Sequence, residues 1–250
     1  MLSDQYSLGL ASVKQKLPFL LGLEDVKTIK RVNESDREHP LKLSWAKRAL
    51  DVIVSSVGIV LALPVFLLIA IAIKLESRGS ILFVSKRAGA GYRIFDFYKF
   101  RTMQSDADQM RDRLKTLNSY YAKRNNSASQ DEPFFFKVKN DPRVTKVGRF
   151  LRKTSLDELP QLFNVLKGDM SLVGNRPLPL DESATLTIDH WADRFLAPAG
   201  MTGLWQIAKD KDSMTVSERI NLDLEYVKKN SFSLDMQILV KTIPAMLQRS

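Results

Sequence analysis

The sequence predicts an α/β chain, mostly α: a re-entrant membrane helix-break-helix, then a compact cytosolic domain with a small β-hairpin and surface amphipathic helices. Three observations carry this. The apolar stretch Val52–Ile73 is long enough for a bilayer, yet basic on both flanks and interrupted by Pro64. Ile81–Val84 and Tyr92–Phe100 alternate in polarity around Gly89 and Gly91, the pattern of a hairpin. Leu156–Leu166, Asp181–Phe195, Val216–Lys229 and Phe232–Leu247 read as helices.

The chain divides into a polar extension (1–44), the membrane segment (45–78) and the cytosolic domain (79–250). The extension is expected to be partly unstructured, with a short helix around Gly9–Leu21, and no secretory leader opens it. Lys42, Lys47 and Arg48 precede the apolar stretch, and Lys74, Arg78, Lys86 and Arg87 follow it. Basic residues favour the cytoplasmic face, so bases at both ends argue against a simple crossing. Proline removes one helical donor and clashes with the preceding turn, so Pro64 should kink or break the helix. A plain transmembrane anchor and a buried core helix are the alternatives. Beyond the hairpin, Met103–Lys123 reads as a polar helix, Asn125–Glu132 as loop, and Leu156–Leu166 as a helix closed by Lys167-Gly168. Gly200-Met-Thr-Gly203 reads as a turn before an aromatic segment. Trp191, Phe195 and Trp205 suit either the headgroup level or the core. Phe232–Leu247 suits the bilayer surface or a cap on the core, and Pro244 should bend or end it.

Composition narrows the chemistry. Thirty-eight basic against 28 acidic residues leave a charge of +10, which favours polyanionic partners. With no cysteine, disulfides, thiolate metal sites and cysteine nucleophiles are excluded; with only His39 and His190, a histidine relay is improbable. Acid–base or nucleophilic work falls mainly to carboxylates.

Asp157 and Glu158 stand out among them. From Lys137 to Lys153 there are seven Lys/Arg and one acid, Asp141, and the pair follows directly. Ser155-Leu-Asp-Glu158 matches a helix capping box, but Pro160 makes the start of that helix irregular under either choice of cap. The functional reading divides the labour. An Asp can attack phosphorus and form an acyl-phosphate; a neighbouring Glu can hold Mg²⁺. Lys99, Arg101, Arg149, Arg152 and Arg176 are candidate phosphate clamps, and Gln161 and Asn164 share a helical stripe with Asp157. Aromatics among the first bases suit nucleic acid as well as a nucleotide, or simply a strand with one face in the core.

The run Asn140–Gly174, with Tyr98-Lys-Phe-Arg-Thr-Met103, Gly200-Met-Thr-Gly-Leu-Trp-Gln206 and Asp223-Leu-Glu-Tyr-Val227, closely resembles the bacterial sugar transferases, the monotopic polyprenyl-phosphate phosphoglycosyltransferases. The resemblance covers about residues 44–250. It implies a catalytic domain over 79–250 that moves a sugar 1-phosphate from a UDP-sugar to undecaprenyl phosphate and releases UMP, through a covalent phosphosugar–aspartate. Such a step initiates surface polysaccharide or glycoconjugate synthesis and feeds downstream glycosyltransferases. Asp157 would be the nucleophile and Glu158 the Mg²⁺ ligand. Lys99 and Arg152 would be phosphate or structural partners in the site, Arg176 and Pro177 nucleotide contacts, and Gln206 a further candidate for the same pocket; Arg101 stays a candidate phosphate contact. The expected location is the bacterial inner membrane, monotopic, with the catalytic domain in the cytoplasm, membrane lipid as a partner and no nucleic acid. Two positions depart from the pattern. The membrane break reads Leu63-Pro64 without a serine, and Asn175 replaces the first proline of Gly-Pro-Arg-Pro, which should loosen the loop that presents Arg176. A basic membrane-peripheral or nucleic-acid-binding module without catalysis is the alternative; it leaves the acid pair unexplained.

Overall fold

The computed structural model describes residues 41, 43–107, 141–184, 186, 189–209, 211 and 213–247. The expected helices at Gly9–Leu21 and through most of Met103–Lys123, and the loop Asn125–Glu132, lie outside the described residues.

Helix α1 (Trp45–Glu76) contains the whole apolar stretch. The Ser44 hydroxyl accepts from Lys47 N at 3.2 Å and caps its start. Pro64 lies inside it and the helix continues through, so the expected break is a proline within one helix. Lys47, Asp51 and Ser55, spaced by four, are buried, as are Ile69 and Ile73 further along. The remaining surface is exposed and apolar, with Val60, Leu61, Leu67 and Leu68 each more than 60% exposed. The helix is thus inverted at its start, polar toward the protein and apolar away from it. Among the described residues it is the one helix long and apolar enough to cross a membrane.

Both ends of α1 are tied to the domain that follows. At the start, Lys47 Nζ donates to Asp235 Oδ2 (2.7 Å) and the Val173 carbonyl (2.9 Å), and Asp51 Oδ1 accepts from Leu172 N (2.9 Å). Arg48 donates to the carbonyls of Val165 and Leu166 at the C-terminal end of a short helix. At the far end, Glu76 accepts from Lys146 N (2.6 Å) and Val147 N (3.0 Å). Between them, Phe66 packs on Phe100 and Phe163.

Strands β1 (Leu82–Ala88) and β2 (Ile94–Phe100) form the expected hairpin, longer at its first strand than sequence suggested. They pair from Leu82↔Phe100 to Ala88↔Ile94, and Gly91 takes positive φ in the turn. Helix α2 (Lys146–Thr154) is followed by a 3-10 turn (Leu156–Glu158) and α3 (Gln161–Lys167). The expected single helix over Leu156–Leu166 is therefore two pieces, because Pro160 falls between them as the residue preceding α3. Short β3 (Ser171–Val173) runs parallel to β5 (Gly200–Thr202), and β4 (Leu178–Pro179) joins the free edge of β1. The Gly200–Gly203 segment is thus mainly strand, where a turn was expected. Asp181–Phe195 is broken into α4 (Leu180–Ala184), α5 (Asp189–Ala192) and a 3-10 turn (Asp193–Leu196).

Helices α6 (Val216–Lys229) and α7 (Phe232–Leu247) have the predicted bounds, and Pro244 lies inside α7 without ending it. Ile238 of α7 joins the main core of Phe95, Phe97, Val165, Leu172 and Tyr226, so α7 caps that core. Its Val240 and Ile243 stay exposed. Phe195 is buried in a second core against which Trp191 packs, while Trp205 lies by Arg176 and Arg219.

Candidate active site

Local backbone places the acid pair. Helix α2 ends at Ser155, which takes the left-handed conformation (φ 58, ψ 14). The chain reverses there into the tight turn bearing Asp157 and Glu158. The Ser155 side chain makes no cap hydrogen bond to the turn, so the capping-box reading is not realised. Asp157 is 5% exposed.

Lys99, from the end of β2, lies between the two acids, with Nζ 3.3 Å from Asp157 Oδ2 and 3.4 Å from Glu158 Oε1. Arg176 approaches the same Glu158 Oε1 at 3.5 Å. One ammonium shared by two carboxylates offsets their mutual repulsion. Arg152 is anchored by its Nε to Thr102 Oγ1 at 2.9 Å, with Asp157 and Asp141 as its acidic electrostatic neighbours. Asp141 is itself fixed by Arg143 (2.7 Å). Burial works against ionisation of Asp141, but the Arg143 hydrogen bonds outweigh it and hold the carboxyl below its ordinary range.

The Arg176 loop is held from behind. Arg194 Nη2 donates to the Arg176 carbonyl (2.9 Å) while pairing with buried Asp223. Asn175 is buried; its Nδ2 donates to the carbonyls of Arg194 (2.8 Å) and Asp223 (3.2 Å), and its N–H to the Pro198 carbonyl (2.9 Å). The asparagine expected to loosen this loop pins it. Pro177 is buried beside Arg176. Gln206 lies beside Gly203, where a Cβ would meet both its Oε1 and the Gly174 carbonyl, and both polar atoms of its amide are buried without a partner among the described residues.

The structure thus brings together Lys99, Asp157, Glu158 and Arg176, with Arg152, Pro177 and Gln206 around them. Arg101 lies elsewhere. Its Nη2 donates to the Ser77 carbonyl (2.7 Å) and hydroxyl (2.8 Å), clamping the end of α1. Asn164 is also committed, since its amide accepts from Tyr98 N and donates to the Asp96 carbonyl. Arg149 is exposed on α2. Sequence reasoning missed the supports Arg143, Arg194 and Asn175, and Arg87 on β1. The hairpin alternation could have found Arg87, because it shares a face with Phe97 and Lys99.

Fold and site define a domain that carries one long apolar helix and is built around a carboxylate pair in a cationic cradle. The chain belongs to the bacterial sugar transferase family, whose profile matches residues 42–249. It is 40% identical over 201 residues to the exopolysaccharide production protein ExoY of Rhizobium meliloti, covering 80% of this chain and 84% of that protein. It is 40% identical over 206 residues to the undecaprenyl-phosphate galactose phosphotransferase of Salmonella typhimurium, covering 82% and 41%. An uncharacterized sugar transferase of Haemophilus influenzae is 40% identical over 205 residues, covering 81% and 41%. The chain therefore spans about two fifths of the length of the last two relatives.

Proposed function

We propose that this chain transfers a sugar 1-phosphate from a UDP-sugar to undecaprenyl phosphate, giving undecaprenyl-diphospho-sugar and UMP. The observation that carries the reading is the acid pair bracketed by Lys99 and Arg176, in a chain whose Salmonella relative is named for sugar-phosphate transfer to this lipid. An Asp157 carboxylate oxygen attacks the sugar-bearing phosphorus, the bond to the UMP oxygen breaks, and UMP leaves. A phosphate oxygen of the lipid then attacks the same phosphorus, and the Asp157 carboxylate is released. Lys99 and Arg176 balance charge on the transferring group, the main catalytic need in phosphoryl transfer.

The Mg²⁺ that the family implies fits Glu158. Glu158 is partly exposed, and its contacts to Lys99 and Arg176 are long ones that a stronger ligand can displace. No group of three His, Cys, Asp or Glu gathers among the described residues, and Mg²⁺ needs none, since it commonly takes one or two carboxylates with substrate phosphates and water. When bound, the ion neutralises charge on the substrate phosphates.

The same reading places the domain on the cytoplasmic face of the bacterial inner membrane, with α1 lying in one leaflet and both its ends on the cytoplasmic side. Contacts at both ends of α1 and along its length support this, because a helix of about 48 Å laid on one domain cannot also carry its far end across the bilayer. The apolar surface facing away from the domain is what lipid would cover. Purified chain in Mg²⁺ buffer with undecaprenyl phosphate should release UMP from at least one of a panel of UDP-sugars, and Asp157→Asn should abolish release. Turnover by that variant at the normal rate would exclude Asp157 as the nucleophile.

A further inference from the structure

Arg87 is a charged group beside the site for which the reaction above has no use. It lies half-buried on β1, on the hairpin face that carries Phe97 and Lys99. Its guanidinium carbon is 5.0 Å from the centroid of the Phe97 ring, and Lys99 Nζ is 5.9 Å from the same centroid. Its Nε reaches Ser85 Oγ at 3.2 Å, and its Nη1 reaches the Pro177 carbonyl, next to Arg176, at 3.4 Å.

Of the other buried arginines among the described residues, Arg101 is taken up by Ser77 and two pair with a carboxylate. Arg143 pairs with Asp141 at 2.7 Å, and Arg194 with Asp223 at 2.5 Å. Arg87 has no carboxylate at ion-pair distance among the described residues. Its foremost charged neighbour is another cation, Arg176, while Glu182, Asp181 and Glu158 act on it without pairing directly. Burial, reinforced by Arg176, pushes its guanidinium down to about 10. A half-buried guanidinium beside a second one, with free donors, matches a tetrahedral oxyanion that both can grip.

Resting on the reaction above, we propose that Arg87 is a phosphate-binding residue that, with Arg176, holds the phosphate adjacent to the one Asp157 attacks. The sequence of contacts sets this order. Lys99 touches Asp157 and Glu158, Arg176 touches Glu158 alone, and Arg87 touches neither but adjoins Arg176 through Pro177. In the donor the adjacent phosphate is the nucleotide's own, which departs as UMP. In-line displacement then requires the acceptor to attack from the side opposite Asp157, the position UMP has left. The Arg87–Arg176 pair therefore serves the departing nucleotide phosphate and the arriving lipid phosphate in turn.

The test is calorimetric binding of UMP and of uridine to the full chain in Mg²⁺ buffer, for wild type, Arg87→Gln and Arg87→Lys. Arg87→Gln should weaken UMP roughly ten- to hundredfold and leave uridine unchanged, as expected for one lost charge-assisted contact. Arg87→Lys, which keeps charge without the fork, should fall between. The KM for undecaprenyl phosphate should rise in parallel. Equal losses for UMP and uridine, or no loss of either, overturns the proposal. If Arg87→Gln does not fold, the UMP-to-uridine ratio in Arg87→Lys decides in the same way. The two readings fail separately: an Asp157→Asn variant with full turnover removes the nucleophile but not the phosphate grip, and an unchanged UMP preference in an active Arg87→Gln removes only the grip.

Discussion

Replacing Asn175 tests whether the Arg176 loop is held or loose. In Asn175→Ala the carbonyls of Arg194 and Asp223 lose donors at 2.8 and 3.2 Å. A net buried hydrogen bond is worth about 1 kcal/mol, and an acceptor left unsatisfied adds to the loss, so the variant should be destabilised by about 2–4 kcal/mol. At this size that corresponds to roughly 4–16 °C in Tm. Asn175→Pro, which restores the proline expected from the family pattern, should be worse here. It also removes the N–H that donates to the Pro198 carbonyl at 2.9 Å. Because Arg194 also holds the Arg176 carbonyl, both variants should raise the KM for the UDP-sugar more than they lower kcat. Thermal unfolding in detergent and steady-state UMP release measure the two effects. An Asn175→Pro chain as stable and active as wild type would refute the pinning argument.

Three further outcomes follow from the structure. Lys47→Met leaves buried Asp235 without its cation and should cost about 3–5 kcal/mol, read by chemical denaturation, whereas Lys47→Met combined with Asp235→Leu should recover most of it. Glu76 is held below the ordinary glutamate range, because hydrogen bonds from Thr145, Val147 and Lys146 outweigh the slight burial that opposes ionisation. A depressed carboxyl stabilises above its unfolded pKa and loses that contribution as pH falls through the folded value, so Glu76→Gln should lower Tm at pH 7 and converge with wild type as pH falls through that folded value. Tags at residues 45 and 250 should both be reached from the cytoplasm; labelling on opposite sides would exclude a re-entrant α1.

Local features were readable from the sequence where the signal was periodic. Val216–Lys229 and Phe232–Leu247 emerged with their observed bounds because each has an amphipathic repeat, and the hairpin because alternation flanks Gly89 and Gly91. Strands β3 and β5 were not readable, since three residues show no period and their partner lies far along the chain, Ser171 opposite Gly200. Gly200 is there for close approach: a Cβ on it would stand 2.2 Å from Gly174 N. The acid pair was legible as a concentration of unlike charge, but choosing between cap and site needed the left-handed Ser155. Arg101 and Arg176 look alike as sequence; only tertiary placement sends one to the end of α1 and the other to Glu158. Asn175 misled because its carbonyl partners, Arg194 and Asp223, are 19 and 48 residues away.

The central claim is that Asp157 forms a covalent bond to the sugar phosphate. Its most direct test is mass spectrometry of the full chain mixed with a UDP-sugar donor, without undecaprenyl phosphate, and acid-quenched within one turnover. The account predicts a mass increase of one sugar-phosphate group, mapped to the peptide carrying Asp157, absent in Asp157→Asn and lost when undecaprenyl phosphate is added. UMP release and product formation at full rate, with no adduct on that peptide at any time point, would contradict it.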